Sequence, residues 1–216
     1  MAIITRLVQT AARSNKVRVF LDGVYAFSLP LAIVLELKIG QDLSSEHVEK
    51  LLRSARQQDC LASAERFLSN RPHSENELQQ KLLRRGFSQA EVADTLAKLK
   101  KTGLIDDLHF ASFWTENREA FRPRSKYLTA LELKRKGVAQ EIIEQTTIQT
   151  DDALNAYHAA IKKARVLGTL EYETFLRRLG QYLARRGFGY EVIKRTVNRI
   201  WDEQHRDSGN TEMDPN

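Results

Sequence analysis

Residues 84–87 read Arg-Arg-Gly-Phe, and the same kind of stretch returns twice along the chain. Arg135-Lys136-Gly137-Val138 follows 51 residues later, and Arg185-Arg186-Gly187-Phe188 follows after another 50. Each copy has two cations before a glycine, an apolar residue after it, and a leucine four residues before it: Leu82, Leu133 and Leu183. This pattern is typical of a helix that ends in basic residues and a left-handed glycine. Its recurrence predicts three tandem units of one supersecondary structure.

The composition favours a helical protein with a real core. The 216 residues are 42% hydrophobic and 29% charged, with only four prolines and ten glycines, which is typical of a mainly α chain. The single cysteine, Cys60, excludes an intrachain disulfide and a cysteine metal cage. The sequence shows no signal-peptide pattern and no apolar run near about 18 residues, so we expect a cytoplasmic protein without membrane contact.

The net charge of +6 is unevenly distributed along the chain. Residues 202–216 hold five carboxylates and one arginine, which leaves residues 1–201 with a net charge of +10. A basic body of this size favours a polyanion or an acidic protein surface as partner. The same lysines and arginines would also keep a helical protein soluble, so charge alone leaves both interpretations open.

Residues 1–45 predict a small β-rich module. Residues 3–9 are rich in β-branched side chains, and Val17, Val19 and Leu21 alternate with Arg18 and Phe20. Asp22-Gly23 then offers the two left-handed positions of a type I′ turn before a returning strand. A short apolar helix then begins at Pro30 and runs from Leu31 to Leu37, with Gly40 as its stop. We expect a β-hairpin or a three-stranded sheet, covered by that helix or by the repeats.

Helix caps and stops divide the rest of the chain. Ser74 and Ser88 each stand three residues before a glutamate, as in a capping box, and Asp106-Asp107 and Asp151-Asp152 open the later units with acids that suit helix N-termini. The predicted segments are a connecting helix (46–57), three-helix repeats at 58–104, 105–150 and 151–203, and a disordered acidic tail at 204–216. The predicted fold is mainly α, with three tandem three-helix repeats in an elongated curved array and a small β-rich N-terminal module.

The sequence contains no pattern of catalytic residues. Phosphate-binding glycine loops and the H-E-x-x-H zinc motif are absent, and the five histidines are scattered. The aspartate pairs are better interpreted as helix caps than as acid–base carboxylates. Cys60 near a helix start could be a slightly acidic thiol, although a small structural cysteine is the favoured interpretation. We therefore predict no enzyme activity, no catalytic residue, no cofactor and no metal site.

The candidate binding residues are cations on helical faces, with one aromatic among them. On the middle helix of the third repeat, Leu176, Leu179 and Leu183 share one face, and three arginines fall on the other by the helical period. Arginine beside an aromatic suits phosphate contact with base stacking, and equally suits an acidic protein groove. For one residue a solvated face is the simpler explanation, but a row repeated every 50 residues favours a binding surface. The candidates are Arg84, Arg85, Arg122, Arg124, Lys126, Tyr127, Lys134, Arg135, Lys136, Arg177, Arg178, Arg185 and Arg186.

A spaced pattern in the first repeat resembles a known bacterial family. The pattern is Arg71-x-x-Ser74-x-x-Glu77-Leu78-x-x-Lys81-Leu82-x-x-x-Gly86-Phe87, followed by Gly103-Leu104-Ile105-Asp106-Asp107-x-x-Phe110-Ala111. It is similar to the first repeat of the regulatory protein RecX family, and the copies around Gly137 and Gly187 resemble the second and third. The likeness covers residues 58–201, and residues 1–50 resemble the N-terminal extension of longer members. The second repeat departs from the pattern, because Val138 replaces the aromatic and the third helix is poor in leucine.

The resemblance implies three tandem three-helix repeats and binding to the recombinase RecA or its filament on single-stranded DNA. It further implies negative modulation of RecA in homologous recombination, DNA repair and the SOS response, with less ATP hydrolysis, strand exchange and co-protease activity. The alternative is a helical-repeat protein that binds DNA directly through the same basic face, independently of RecA. In either case we expect a monomer.

Overall fold

The computed structural model describes residues 2–10 and 16–209. These residues form two compact units: the first comprises the described parts of Met1–His73 and Glu77–Ile105, and the second those of Ser74–Asn76 and Asp106–Asn216. The strands are β1 (Ala2–Gln9), β2 (Lys16–Leu21), β3 (Val24–Pro30) and β4 (Asp42–Leu43). The helices are α1 (Leu31–Val34), α2 (Ser45–Leu68), α3 (Glu75–Arg84), α4 (Gln89–Lys101), α5 (Asp107–Phe121), α6 (Lys126–Arg135), α7 (Gln140–Thr147), α8 (Asp152–Leu167), α9 (Tyr172–Ala184) and α10 (Tyr190–Gly209). The predicted fold class, mainly α with three three-helix repeats and a small β-rich N-terminal module, is confirmed.

The N-terminal module is an antiparallel sheet in the order β3-β2-β1-β4. Its β2–β3 turn is the predicted one, because both Asp22 (φ 50°) and Gly23 (φ 85°) are left-handed. The fourth strand was not predicted, since two residues are too few to show an alternating pattern. Leu43 on that strand is nevertheless buried in the same core as Ile4, so the short strand contributes to the core of the module.

One helix of the first unit is shorter than predicted, and another runs across a predicted segment boundary. The apolar helix after Pro30 ends at Val34 instead of running on to Leu37, although Leu37 is still buried against the sheet. Helix α2 is continuous, so the predicted boundary between residues 57 and 58 falls inside it. Nothing in its sequence stops a helix there, and its two halves pack in two places. Leu51 packs against the sheet, and Cys60 packs in the core of the first repeat.

Burial decides the character of Cys60. The residue lies in the middle of α2, not near a helix start, and its exposed fraction is 0%. Desolvation raises the pKa of the Cys60 thiol, because burial disfavours the thiolate. The possibility of an acidic thiol was therefore wrong, and Cys60 acts as a small apolar residue of the core.

The C-terminal end is more ordered than predicted. Helix α10 continues to Gly209, so the predicted disorder is wrong for residues 204–209. Part of the reason is that Glu203 accepts hydrogen bonds from Tyr157 on α8 at 2.8 Å and from Arg199 one turn earlier at 2.8 Å, which holds the helix end against its neighbour. Residues 210–216 of the predicted tail lie outside the described residues.

The repeated glycine turns have the predicted geometry. Gly86, Gly137 and Gly187 have φ values of 86°, 80° and 84°. In each turn the residue after the glycine donates its backbone N–H to the carbonyl of the leucine four residues before the glycine. This is the bond of a Schellman motif, which satisfies a carbonyl that the helix end would leave without a partner. The three leucines (Leu82, Leu133 and Leu183) are all fully buried.

The aspartate pairs cap helices, and each pair serves two helices. Asp106 and Asp151 accept backbone hydrogen bonds from the first turns of α5 and α8, each at 2.8 Å, as predicted. The second member of each pair reaches another helix: Asp107 accepts from the first N–H of α3 at 2.8 Å, and Asp152 accepts from that of α6 at 2.6 Å. Both aspartates thus place a negative charge at a second helix N-terminus.

Within the second unit, two of the glycines permit a close approach. A Cβ atom on Gly137 would lie 2.5 Å from Cβ of Asn76, and one on Gly187 would lie 2.5 Å from Oγ of Ser125. Hydrogen bonds reinforce both contacts: Ser74 Oγ donates to the carbonyl before Gly137 at 2.6 Å, and the Ser125 N–H donates to the carbonyl before Gly187 at 3.0 Å. A larger residue at either position would therefore disturb packing as well as the turn.

We predict that Gly137→Ala costs more stability than Gly86→Ala. Both changes put a Cβ at a left-handed residue, which costs about 1 kcal/mol. Gly86 has open space around the added atom, whereas Gly137 meets Asn76, so the second change adds a steric penalty of about 1–3 kcal/mol. Urea denaturation of the two variants measures the difference.

A double-mutant cycle isolates the steric part of this effect. In an Asn76→Gly background the opposing Cβ is gone, and Gly137→Ala should then cost only the backbone strain of about 1 kcal/mol. An equal cost in both backgrounds would show that the contact with Asn76 does not constrain the glycine.

The first unit contains a buried histidine with two hydrogen-bond partners. His73 is 3% exposed, with Nδ1 2.9 Å from the carbonyl oxygen of Arg71 and Nε2 2.7 Å from Nζ of Lys81. These partners assign the proton to Nδ1 and leave Nε2 to accept from the lysine. Burial lowers the pKa of His73, so the folded protein holds the ring neutral.

Stability should therefore fall as the pH drops below about 6.5, the ordinary pKa of histidine. The unfolded chain takes up a proton at His73 in this range, and the folded chain does so only at lower pH, so the stabilisation is complete above pH 6.5 and is lost on acidification. Melting temperatures between about pH 7 and pH 5 measure the effect. His73→Gln should flatten this dependence, whereas His47→Gln, at an exposed position, should retain it.

Candidate interaction surface

Helix α9 carries two of the candidate arginines, Arg177 and Arg178, and its C-cap residue Arg185 is a third. Its buried side consists of Phe175, Leu179 and Leu183, all 0% exposed. Leu176 was predicted on that side, but it is 37% exposed. The spacing explains the error, because Phe175 continues the four-residue spacing of the two buried leucines and Leu176 is rotated by about 100° from it. The three arginines Arg177, Arg178 and Arg185 are exposed.

The second repeat presents cations at both ends of its middle helix. Arg122 is exposed just after α5, and Lys126 and Tyr127 are exposed at the start of α6, where the tyrosine is 71% exposed. Lys134 and Arg135 are exposed at the end of α6. Among the residues that the structure describes, none of these cations forms an ion pair.

Arg124 differs from its neighbours because it has an internal partner. It donates to Oε1 of Glu132, whose Oε2 accepts from Arg118 Nε at 2.7 Å and from Trp114 Nε1 at 2.9 Å. The Glu132 side chain is only 12% exposed, and a buried carboxylate needs such donors. Arg124 therefore connects the segment before α6 to α5 and α6, a role that spacing alone could not reveal.

The last cation before each glycine stacks on an aromatic ring. The cationic group lies 4.6 Å from the ring centre of Phe67 for Arg85, 4.0 Å from that of Trp114 for Lys136, and 4.1 Å from that of Tyr182 for Arg186. Cation–π contacts of this geometry hold the side chain against its own repeat. The residue one position earlier is exposed in all three repeats: Arg84, Arg135 and Arg185.

The candidate residues therefore fall into two groups. Four have contacts within their own unit: Arg85, Arg124, Lys136 and Arg186. Nine are exposed without such a contact among the described residues: Arg84, Arg122, Lys126, Tyr127, Lys134, Arg135, Arg177, Arg178 and Arg185. Eight of these nine belong to the second unit. We call these eight the exposed basic set.

The described residues offer no cluster of metal ligands. Over residues 2–10 and 16–209, no three side chains of His, Cys, Asp or Glu are placed to hold one ion. Over the same residues, no helix combines the length and the apolar character needed to cross a bilayer.

Comparison with known proteins identifies each repeat separately. Residues 60–99, 106–146 and 151–197 match family profiles described as the first, second and third three-helix domains of RecX. The regulatory protein RecX of Chlorobium phaeobacteroides (strain BS1) is 37% identical over 137 residues, which cover 63% of this chain and 89% of that protein. The regulatory protein RecX of Clostridium beijerinckii is 25% identical over 207 residues, which cover 93% of this chain and 96% of that protein.

Solved structures agree with the fold. A crystal structure of regulatory protein RecX has a TM-score of 0.66 at 21% identity and covers 92% of this chain and all of that one. The crystal structure of RecX from Lactobacillus salivarius has a TM-score of 0.57 at 22% identity and covers 69% of this chain and 98% of the other. Since the matched three-helix domains span more than half of the sequence and follow one another in the family's order, this chain belongs to the RecX family of regulatory proteins.

Proposed function

We propose that this protein is a non-enzymatic negative modulator of the recombinase RecA, which binds RecA or its filament on single-stranded DNA. Binding would inhibit ATP hydrolysis, strand exchange and co-protease activity. Family membership supports the regulatory role. The observation that carries the choice of surface is the exposed basic set, whose cations have no ion-pair partner among the described residues.

The division of the cations supports this choice. In each repeat one cation before the glycine stacks on a ring and its neighbour is exposed. Capping a helix needs only a charge near its last carbonyls, so the exposed cation adds little to folding. Arginine is well suited to the carboxylates and phosphates of a nucleoprotein filament, because its planar group donates two parallel hydrogen bonds. Several such groups also accelerate association with an anionic partner.

The second candidate function is direct DNA binding, independent of RecA. The favouring observation is Tyr127, whose side chain is 71% exposed beside Lys126 at the start of α6. An open aromatic ring next to a cation can stack on a base while the cation contacts a phosphate. This candidate uses part of the same surface but requires no recombinase.

We predict that the protein lowers ATP hydrolysis by RecA on single-stranded DNA and that Arg178→Ala combined with Arg185→Ala weakens this inhibition. Exposed arginines contribute at most about 1 kcal/mol to folding, so the double variant should melt close to the parent. Loss of about 1 kcal/mol of binding requires about fivefold more protein for half-inhibition. Titration into an ATPase assay at physiological salt measures both quantities.

A charge-matched control separates position from net charge. Lys50→Ala combined with Arg53→Ala removes two exposed cations from α2 in the first unit, and this double variant should inhibit like the parent. Equal inhibition by the parent and the Arg178/Arg185 variant would show that these arginines do not bind RecA. Equal weakening of both double variants would show that only net charge matters.

The two candidate functions predict different binding to RecA without DNA and a different salt dependence of binding to DNA. If RecA is the partner, binding to RecA without DNA should remain measurable. If DNA is the direct partner, binding to an oligothymidine should fall with salt by a logarithmic slope of about 0.7 per phosphate contact, and Tyr127→Ala should weaken it. Fluorescence anisotropy at several salt concentrations, with RecA and with oligothymidine, measures both.

A further inference from the structure

The third repeat has an open apolar groove between α9 and α10. The groove has a volume of about 380 Å³, and Leu176, Tyr190 and Ile193 are among the residues that line it. Tyr190 is 74% exposed and Leu176 is 37% exposed, although both are large side chains that a helix would normally bury. Exposed apolar side chains therefore line a concave site here, which is typical of a binding surface.

The second repeat has the corresponding groove between α6 and α7, with different chemistry. Eight residues that line this groove each lie 50 positions before a residue that lines the third-repeat groove. They are residues 126, 127, 130, 140, 143, 144, 147 and 148. At these positions Tyr127 corresponds to Arg177, Ala130 to Gly180, and Glu144 to Lys194. Both repeats thus have this groove. The third-repeat groove differs in having a glycine where the second has an alanine, and a lysine where the second has a glutamate.

The floor of the third-repeat groove contains a glycine that the fold does not require. Gly180 lies within α9, where glycine costs about 0.5–1 kcal/mol relative to alanine. Its backbone is not left-handed, and an added Cβ would lie 3.6 Å from Cγ2 of Ile193, an ordinary contact. An alanine would therefore fit, as Ala130 does in the second repeat. What the glycine provides is a deeper groove, which admits a closer approach from outside.

Two cations border this groove from opposite walls. Arg177 on α9 and Lys194 on α10 both line it and are both exposed. Among the described residues neither forms an ion pair, and no carboxylate lines the groove. In the second repeat, by contrast, Glu144 and Asp152 line the groove beside Lys126. The charge of the third-repeat groove favours an occupant that carries acidic groups beside apolar ones.

The shape of the groove favours a helix as the occupant. Leu176, Gly180 and Ala184 follow one another every four residues along α9, so small side chains form a shallow path beside a leucine. Such a row lets another helix pack closely, as ridges fit into grooves. We propose that this groove binds an amphipathic helix of a partner protein, whose apolar face is bordered by carboxylates.

A nucleic acid fits this groove less well. The hydroxyl of Tyr172 donates to Oδ1 of Asn198 at 2.9 Å, and its ring lies 5.2 Å from that of Trp201, so this ring is part of the wall. Tyr190, 74% exposed, is the more open of the two aromatic rings that line the groove, since Tyr172 is 38% exposed and held by these contacts. Single-strand binding generally uses a row of stacking rings along a cationic track. The site goes beyond the proposed function: it shares Arg177 with the exposed basic set, but it uses neither Arg178 nor Arg185 and adds the apolar lining and Lys194.

The test uses the full chain and three synthetic peptides labelled with fluorescein. The first is a helical peptide of about 18 residues, five turns, with leucines on one face and glutamates beside them. The second has lysine in place of glutamate, and the third has serine in place of leucine. We expect saturable binding of the first peptide only. No saturable binding of the acidic peptide, or equal binding of all three, would overturn the proposal.

Two substitutions that install second-repeat residues locate the binding in the groove. Gly180→Ala should melt at the same or a higher temperature, because alanine favours the helix, yet bind the acidic peptide about tenfold more weakly through crowding at the floor. Lys194→Glu should weaken binding by about fivefold or more. Lys162→Glu makes the same charge change on α8, outside the groove, and should bind like the parent.

The remaining outcomes also decide the question. If Gly180→Ala binds the acidic peptide as the parent does, the groove is not the site and the proposal fails. Displacement of the peptide by an oligothymidine from the parent, but not from Gly180→Ala, would assign the groove to nucleic acid and overturn the proposal as well. If oligothymidine does not displace the peptide and both groove variants bind the peptide more weakly, the result supports a helix as the occupant.

Discussion

The left-handed glycine at the end of each middle helix is the constraint on which the repeats depend. It reverses the chain so that the leucine four residues earlier is buried and its carbonyl accepts the bond that closes the turn. In the second unit the glycine has a further role, because Gly137 and Gly187 leave no room for a Cβ beside Asn76 and Ser125. At these two positions glycine thus allows both the left-handed backbone conformation and the close contact. Asp107 and Asp152 accept hydrogen bonds from the first N–H groups of α3 and α6, and so hold the two helix starts that Gly137 and Gly187 contact.

The turn also determines how the cations are used. Two basic residues precede each glycine; the second stacks on a ring of its own repeat, and the first is exposed. The stacked cation supports the repeat, and the exposed cation is available to an acidic or phosphate-bearing partner. Arg124 likewise has a partner within its own repeat, since the largely buried carboxylate of Glu132 accepts its hydrogen bond. A regulator that acts by binding needs cations of the exposed kind.

Repetition also explains how one fold can carry two kinds of site. The grooves of the second and third repeats occupy corresponding positions, so the backbone provides the concave shape in both. The side chains then set the chemistry: Ala130 and Glu144 in one groove, Gly180 and Lys194 in the other. Because each substitution lies on a helix surface, it alters binding with little cost to the core. Tandem repeats can therefore diverge in function while their packing is retained.

The sequence by itself determined the features that depend on neighbouring residues: the left-handed turns, the Asp22-Gly23 hairpin, the capping box at Ser88 and the three-helix repeats. These follow from backbone conformation and hydrogen bonds that span a few residues. Only the tertiary structure decided that Cys60 lies in a core and that Arg124 pairs with Glu132. Each of these depends on which element packs alongside, and that contact joins residues whose separation no local pattern records.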